Sequence, residues 1–211
     1  MTTFLSVGGK KIVLAEAVKF ARQYLSGEGN WAYPAYDAYP GHAGSEVGRP
    51  DLLAVALLNA HQRPVESYYG LESLLPLINE RLADPALSGT LADADQGTVD
   101  AIARLFGILD EQRPKHVSLT KLSKVLHRKR PELLPLYDKN IWRCYAEGGL
   151  IPQDRSRSWH DYSQLLVAAM KHDLTDQIEQ WQAIADMATE PSITPLRAMD
   201  IVGWHLGSQA S

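Results

Sequence analysis

The residues best suited to chemistry lie in one segment, Ser118 to Arg143, which reads SLTKLSKVLHRKRPELLPLYDKNIWR. A single aspartate, Asp138, stands there among many cations, just after a turn bounded by Pro131 and Pro135. An acid at the start of a helix is structurally a cap, accepting free backbone N–H groups and favoured by the helix dipole. A carboxylate held by helix geometry can also sit opposite a sugar and stabilise positive charge developing there. On the sequence both readings stand.

The surrounding charge is lopsided. Between Arg113 and Arg143 there are nine cations (Arg113, Lys115, Lys121, Lys124, Arg128, Lys129, Arg130, Lys139 and Arg143) against Glu132 and Asp138, a local balance of +7. The chain as a whole carries −4, so the remainder holds −11. Clustered cations of this kind are a footprint for duplex DNA or another polyanion, because binding releases condensed counterions. The plainer reading is a solvated basic face. A second cluster, Trp31, Tyr33, Tyr36 and Tyr39, lies in a stretch rich in glycine and proline. Trp31 and Tyr36 are candidates for stacking on a base or flat ligand, although loop aromatics more often pin a loop to the core.

Several chemistries lack their residues. One cysteine, Cys144, excludes a disulfide framework and a cysteine-ligated iron–sulfur cluster. The seven histidines show no metal-ligand spacing, and no G-x-S-x-G elbow, G-x-G-x-x-G turn or P-loop is present. No cofactor or metal is therefore expected. The longest apolar run, Leu52 to Leu58, is far too short to span a membrane. The first residues mix Thr, Ser, Gly and Lys without a long apolar stretch, so the expectation is a cytoplasmic protein.

The elements that must position these residues are mostly helical. Leu14, Val18, Ala21 and Leu25 form one helical stripe, and Gly8-Gly9 between short apolar runs predicts a β-hairpin before it. Residues 30–49 read as a long irregular loop. Leu52 to Ala60 is apolar almost all round, which predicts a short central helix. Further helices follow from Leu71/Leu74/Leu75/Ile78/Leu82, Ile102/Leu105/Phe106/Leu109 and Leu119/Leu122/Leu126, the last with Ser118 as N-cap. Three more carry Tyr162/Leu165/Leu166/Ala169, Leu174/Ile178/Trp181/Ala185 and Leu196/Met199/Val202/Leu206, with Thr194-Pro195 opening the last. The length of 211 residues and short connections predict one all-α domain, or two closely packed lobes.

The segment resembles the end of the motif of the helix-hairpin-helix DNA glycosylase superfamily, on Lys121, Pro135, Leu136, Asp138, Ile141 and Arg143. DLLAVALLNAHQ (Asp51 to Gln62) is similar to that superfamily's buried early helix, and DIVGWHLG (Asp200 to Gly207) to its closing helix. The chain also resembles an uncharacterised, mainly actinobacterial family sharing the KRP…P-x-x-D and LRxxDIVxW stretches, which implies no activity. The superfamily resemblance implies a helix-hairpin-helix glycosylase-like fold and a target base flipped into a pocket. Asp138 would stabilise an oxocarbenium-like sugar and help activate water. Lys121 would be a Schiff-base nucleophile if its pKa were lowered, or else a plain phosphate contact. Asn59, His61 and Gln62 would fill the space left by the base.

One departure stands out. The superfamily's hairpin carries glycines that let backbone N–H groups approach a phosphate, whereas here the stretch is RPKHVSLTK, with none. Phosphate binding would then fall to side chains, with Lys115, Lys121, Lys124 and Arg128 nearest and Lys129, Arg130 and Arg143 extending the stripe. Three functions follow as rivals. They are a DNA N-glycosylase on damaged bases centred on Asp138, a non-catalytic nucleic-acid-binding module, and a small-molecule enzyme reusing the same pocket.

Overall fold

A computed structural model describes residues 2–60, 62–154 and 156–209. It is mainly helical, with one short antiparallel hairpin at the start. Strands β1 (Phe4–Val7) and β2 (Lys10–Val13) pair with Leu5 opposite Ile12. Leu5 and Val7 alternate onto the buried face while Phe4 points outward, the period of two expected of a half-buried strand. Gly8 turns the hairpin at φ +61, and a side chain there would strike the Cys144 carbonyl at 2.3 Å. Only glycine fits that close approach.

Helix α1 (Leu14–Leu25) buries Ala17, Ala21, Tyr24 and Leu25. The inward stripe is thus rotated from the one expected, with Leu14 and Val18 half-buried, because the small alanines allow close packing on the final helix. The loop at 30–49 is irregular as expected, until a 3₁₀ turn (Arg49–Leu53) opens it into the one-turn helix α2 (Ala54–Leu57). This is shorter than the predicted 52–60 helix. Leu52, Ala54 and Val55 are buried, but Leu53 is 55% exposed, so the segment lies at the edge of the core and not at its centre. Asn59, at φ 57, has left the helix.

The next helices match their patterns. In α3 (Pro64–Leu82), Leu71, Leu74, Ile78 and Leu82 are buried. Helix α4 (Gln96–Phe106) buries Ile102, Leu105 and Phe106, and Leu109 follows in the separate short helix α5 (Ile108–Glu111). Helix α6 (Leu119–Lys129) buries Leu119, Leu122 and Leu126. Ser118 is its N-cap residue, but its hydroxyl makes no capping bond. Next come α7 (Lys139–Trp142), a π-helical turn (Arg143–Glu147), α8 (Trp159–Asp176), α9 (Ile178–Ala185) and α10 (Pro195–Ser208).

The stripe from Leu174 to Ala185 crosses a break. Gln177 leaves the helical region, its side chain accepting from Ser6 N–H at 2.8 Å and donating to Ser6 C=O at 3.1 Å. That amide pairs with β1 as another strand would, so α8 and α9 separate there and Ile178 turns outward. One apolar cluster nevertheless runs from Leu5 to Leu206. Among the described residues, no helix is long and apolar enough to cross a membrane.

A candidate active-site pocket around Asp138

Helix α7 is too short to hold itself, so α10 positions it. A side chain on Gly207 would meet the Asn140 carbonyl at 2.1 Å, and one on Gly203 would meet Ile141 Cδ1 at 3.0 Å. Two glycines thus let α10 press directly against the first turn of α7. Thr194 caps α10 by accepting from Arg197 N–H at 3.1 Å, as its sequence position predicts, and its hydroxyl donates to the Pro131 carbonyl at 3.0 Å. The turn before Asp138 and the start of α10 are thereby tied together.

Asp138 is the N-cap of α7. Its Oδ1 accepts from the N–H groups of Asn140 at 2.8 Å and Ile141 at 3.0 Å. Oδ2 has no hydrogen-bond partner among the described residues, and the side chain lines a pocket of about 420 Å³. The capping reading is thus met by Oδ1, while Oδ2 makes no described hydrogen bond.

The pocket draws on six regions of the chain. Tyr24 comes from α1, Trp31 from the aromatic loop, Asn59 and Gln62 from the segment after α2, and Thr120 and Lys124 from α6. Tyr137, Asp138 and Lys139 surround the start of α7, and Arg197, Asp200 and Trp204 come from α10. Trp31 meets Trp204 edge-on at 6.5 Å and Tyr24 at 5.3 Å, giving one aromatic wall.

The charged groups form a coupled set. Lys124 is 5% exposed and donates to the Leu58 carbonyl at 2.6 Å. Burial lowers its ammonium pKa, against the opposing pull of Asp138 and Asp200. Arg197 is fully buried and holds Asp37 through two bonds, Nε–Oδ1 at 2.8 Å and Nη2–Oδ2 at 3.2 Å, while Nη1 binds Asp200. Its guanidinium also lies over the rings of Tyr36 (5.3 Å) and Tyr24 (5.9 Å). Burial pushes the Asp200 carboxyl up to about 6, with Asp138 adding to the rise and Arg197 opposing it. Asp200 can therefore exchange a proton close to neutral pH.

Sequence reading missed Arg197, Asp200, Tyr24, Thr120, Tyr137 and Trp204. One signal was available: Arg197 and Asp200 are charges three residues apart in an otherwise apolar helix, a spacing that buries them as a pair.

The other expected site residues are dispersed. Lys121 does not line the pocket. It is 6% exposed, and its ammonium donates to Gln62 C=O at 2.7 Å, His116 C=O at 2.9 Å and the Ser67 hydroxyl. Burial lowers its ammonium pKa, but all three of its protons are engaged here and it fastens loops away from the Asp138 pocket. The predicted hairpin without glycine uses His116 at φ 65, and Lys121 holds its carbonyl.

Arg128 donates to the carbonyls of Asp37 and Tyr39. Lys129 binds His42 C=O and forms a buried ion pair with Asp51 at 2.9 Å. Arg130 donates to Lys129 C=O and Arg143 to Gly207 C=O. These cations satisfy backbone carbonyls that folding would otherwise leave without partners. Lys115 stays exposed on the loop before α6, and Lys139 is exposed on the pocket rim. Tyr36 is fully buried, its hydroxyl donating to Lys124 C=O at 2.7 Å, so it pins the loop and offers no stacking face. His61 lies outside the described residues. Among the described residues, no group of three or more His, Cys, Asp or Glu is placed to hold a metal ion.

Fold and pocket together define a helical protein with a walled, charged cavity at the N-terminus of a short helix. The chain belongs to the family of unknown function DUF6308, whose profile matches residues 17–207. No curated protein and no solved structure matches it.

Proposed function

We propose that the protein is a small-molecule hydrolase acting at the N-glycosidic bond of a nucleoside-like ligand held in the Asp138 pocket. The observation that supports this most is the divided role of Asp138, with one oxygen fixed by α7 and the other facing a pocket with an aromatic wall. Trp31, Tyr24 and Trp204 suit a flat ring. The free oxygen of Asp138 suits the positive charge that builds on the sugar as its bond to the base breaks. Water adds to the anomeric carbon, the carbon–nitrogen bond breaks, and the base leaves carrying a proton. Asp138 takes the proton from water, and Asp200 is the acid that can supply one to the base. The resemblance to the glycosylase superfamily agrees with this chemistry, and the commitment of the basic segment to backbone carbonyls favours a small substrate over duplex DNA.

A duplex substrate is the second reading. Asn59, Gln62 and Lys139 are exposed together on the pocket rim, where they could enter a base stack and meet a phosphate. Chromatography of free base released from a panel of nucleosides, and from duplex DNA with damaged bases, tests both readings. Wild-type protein releases base from nucleosides, and Asp138→Asn loses about 100-fold or more of that rate. Release from duplex DNA alone, with salt-dependent binding, would support the second reading. Equal rates in the two proteins, or no release from either substrate, would sink the assignment of Asp138.

A further inference from the structure

A second pocket of about 310 Å³ opens where α7, the loop before α8 and the first turn of α8 meet. Its walls include Tyr137, Trp142, Trp159 and Tyr162. Tyr162 stands edge-on to Tyr137 (5.7 Å, 74°) and to Trp159 (6.2 Å, 84°), so ring planes turn at right angles around a corner. Aromatic side chains that line a pocket can hold an organic ammonium. Among the described residues, the mouth carries one acid and one basic side chain. Asp154 accepts twice from Ser156 through Oδ1, which keeps its carboxyl below its usual range, and Oδ2 has no described partner. Arg157 uses Nη1 on the Pro152 carbonyl at 2.8 Å and has no described partner for its other nitrogens.

The Tyr162 hydroxyl lies beneath the pocket surface, shut off from solvent beside the Tyr137 hydroxyl. Burial keeps both phenols protonated, so neither adds charge to the pocket. A lone cation in this pocket would meet the repulsion of Arg157. A lone anion would meet Asp154 and the negative ring faces.

We propose that this pocket binds a small zwitterion, an alkylated ammonium carrying a carboxylate. The ammonium packs on the aromatic walls near Asp154, and the carboxylate accepts from Arg157. The proposal does not depend on what the Asp138 pocket binds. Its test is calorimetric titration of the full chain with three probes: glycine betaine, choline (no carboxylate) and 3,3-dimethylbutanoate (no positive charge). Glycine betaine binds at millimolar concentration or below, and each of the others binds about tenfold more weakly, since each forfeits one charged contact. Trp142→Ala and Arg157→Gln, both on partly exposed residues, each weaken glycine betaine by about tenfold with no change in melting temperature. Absence of heat with glycine betaine overturns the proposal. So does choline or 3,3-dimethylbutanoate binding as tightly as the zwitterion, or wild-type affinity in both variants.

Discussion

Replacing Lys121 by methionine keeps the length of the side chain and removes only the ammonium. Three acceptors then lose a donor: the carbonyls of Gln62 and His116 and the hydroxyl of Ser67. That hydroxyl still donates toward the Gln62 (3.2 Å) and His116 (3.1 Å) carbonyls and can keep one of them satisfied. Two of these carbonyls lie beside or at left-handed non-glycine residues, Arg63 at φ 53 and His116 at φ 65. Such conformations cost on the order of 1 kcal/mol each and persist only when neighbouring contacts hold them. The Gln62 and His116 residues are exposed, so water can partly replace the lost bonds, whereas Ser67 is buried. At about 1 kcal/mol per bond, with one carbonyl kept by Ser67, the destabilisation is about 2 kcal/mol. For a chain of this size that lowers the melting temperature by about 4–8 °C. Thermal and urea unfolding of wild type and Lys121→Met would measure it. A loss under about 1 kcal/mol would refute the fastening role. Borohydride trapping of an aldehyde sugar specifically on Lys121 would refute it independently, because that reaction needs a free lone pair.

Three other outcomes follow from the same geometry. Gly207→Ala places a carbon 2.1 Å from the Asn140 backbone carbonyl, so α7 must move; it costs about 1–3 kcal/mol or more and weakens ligand binding at Asp138. Gly203→Ala meets only side chains of Val7 and Ile141, at 2.9 and 3.0 Å, and unfolding curves should show the smaller loss. His127 is buried with Nδ1 against the Leu134 carbonyl at 2.7 Å, and burial lowers its pKa to about 4. A depressed histidine contributes stability above its unfolded pKa near 6.5 that is lost as pH falls toward 4, here about 3 kcal/mol. The gap between wild type and His127→Gln, measured by denaturant unfolding, should therefore shrink on acidification, and a gap constant with pH would contradict the burial. Asp200, raised to about 6, acts in the opposite sense between about pH 4 and 6 in both proteins and cancels from that difference. Cys144 is fully buried, with its thiol against Gly203 C=O at 3.3 Å and its pKa pushed up to about 12 by burial; a thiol reagent should label it only as the chain unfolds.

The helical periods were legible because burial repeats along a helix whatever it packs against. Leu71, Leu74, Ile78 and Leu82 needed no partner to be identified, and neither did the Thr194-Pro195 start. Asp138 was legible for a similar reason: an acid after a proline-bounded turn and before an apolar helix has a local role. Tertiary contacts shifted the local elements elsewhere. Gln177 broke a continuous stripe because its amide pairs with Ser6, 171 residues away. The 52–60 segment stopped early at left-handed Asn59.

The spacing of apolar and charged residues determined a mostly helical chain with a basic segment ending at one acid. It did not determine what the positive charge is for. Lys121, Lys124, Arg128 and Lys129 could have faced solvent and a polyanion, and their spacing along α6 would have been the same. The tertiary structure aims them at carbonyls of loops that are distant in sequence, because folding buries those carbonyls and each needs a donor. It also joins Asp138 to Asp200, Arg197 and Trp31, which no local pattern links. A residue's type and its immediate neighbours are written in the chain; the partner that consumes its charge is chosen only when remote segments pack.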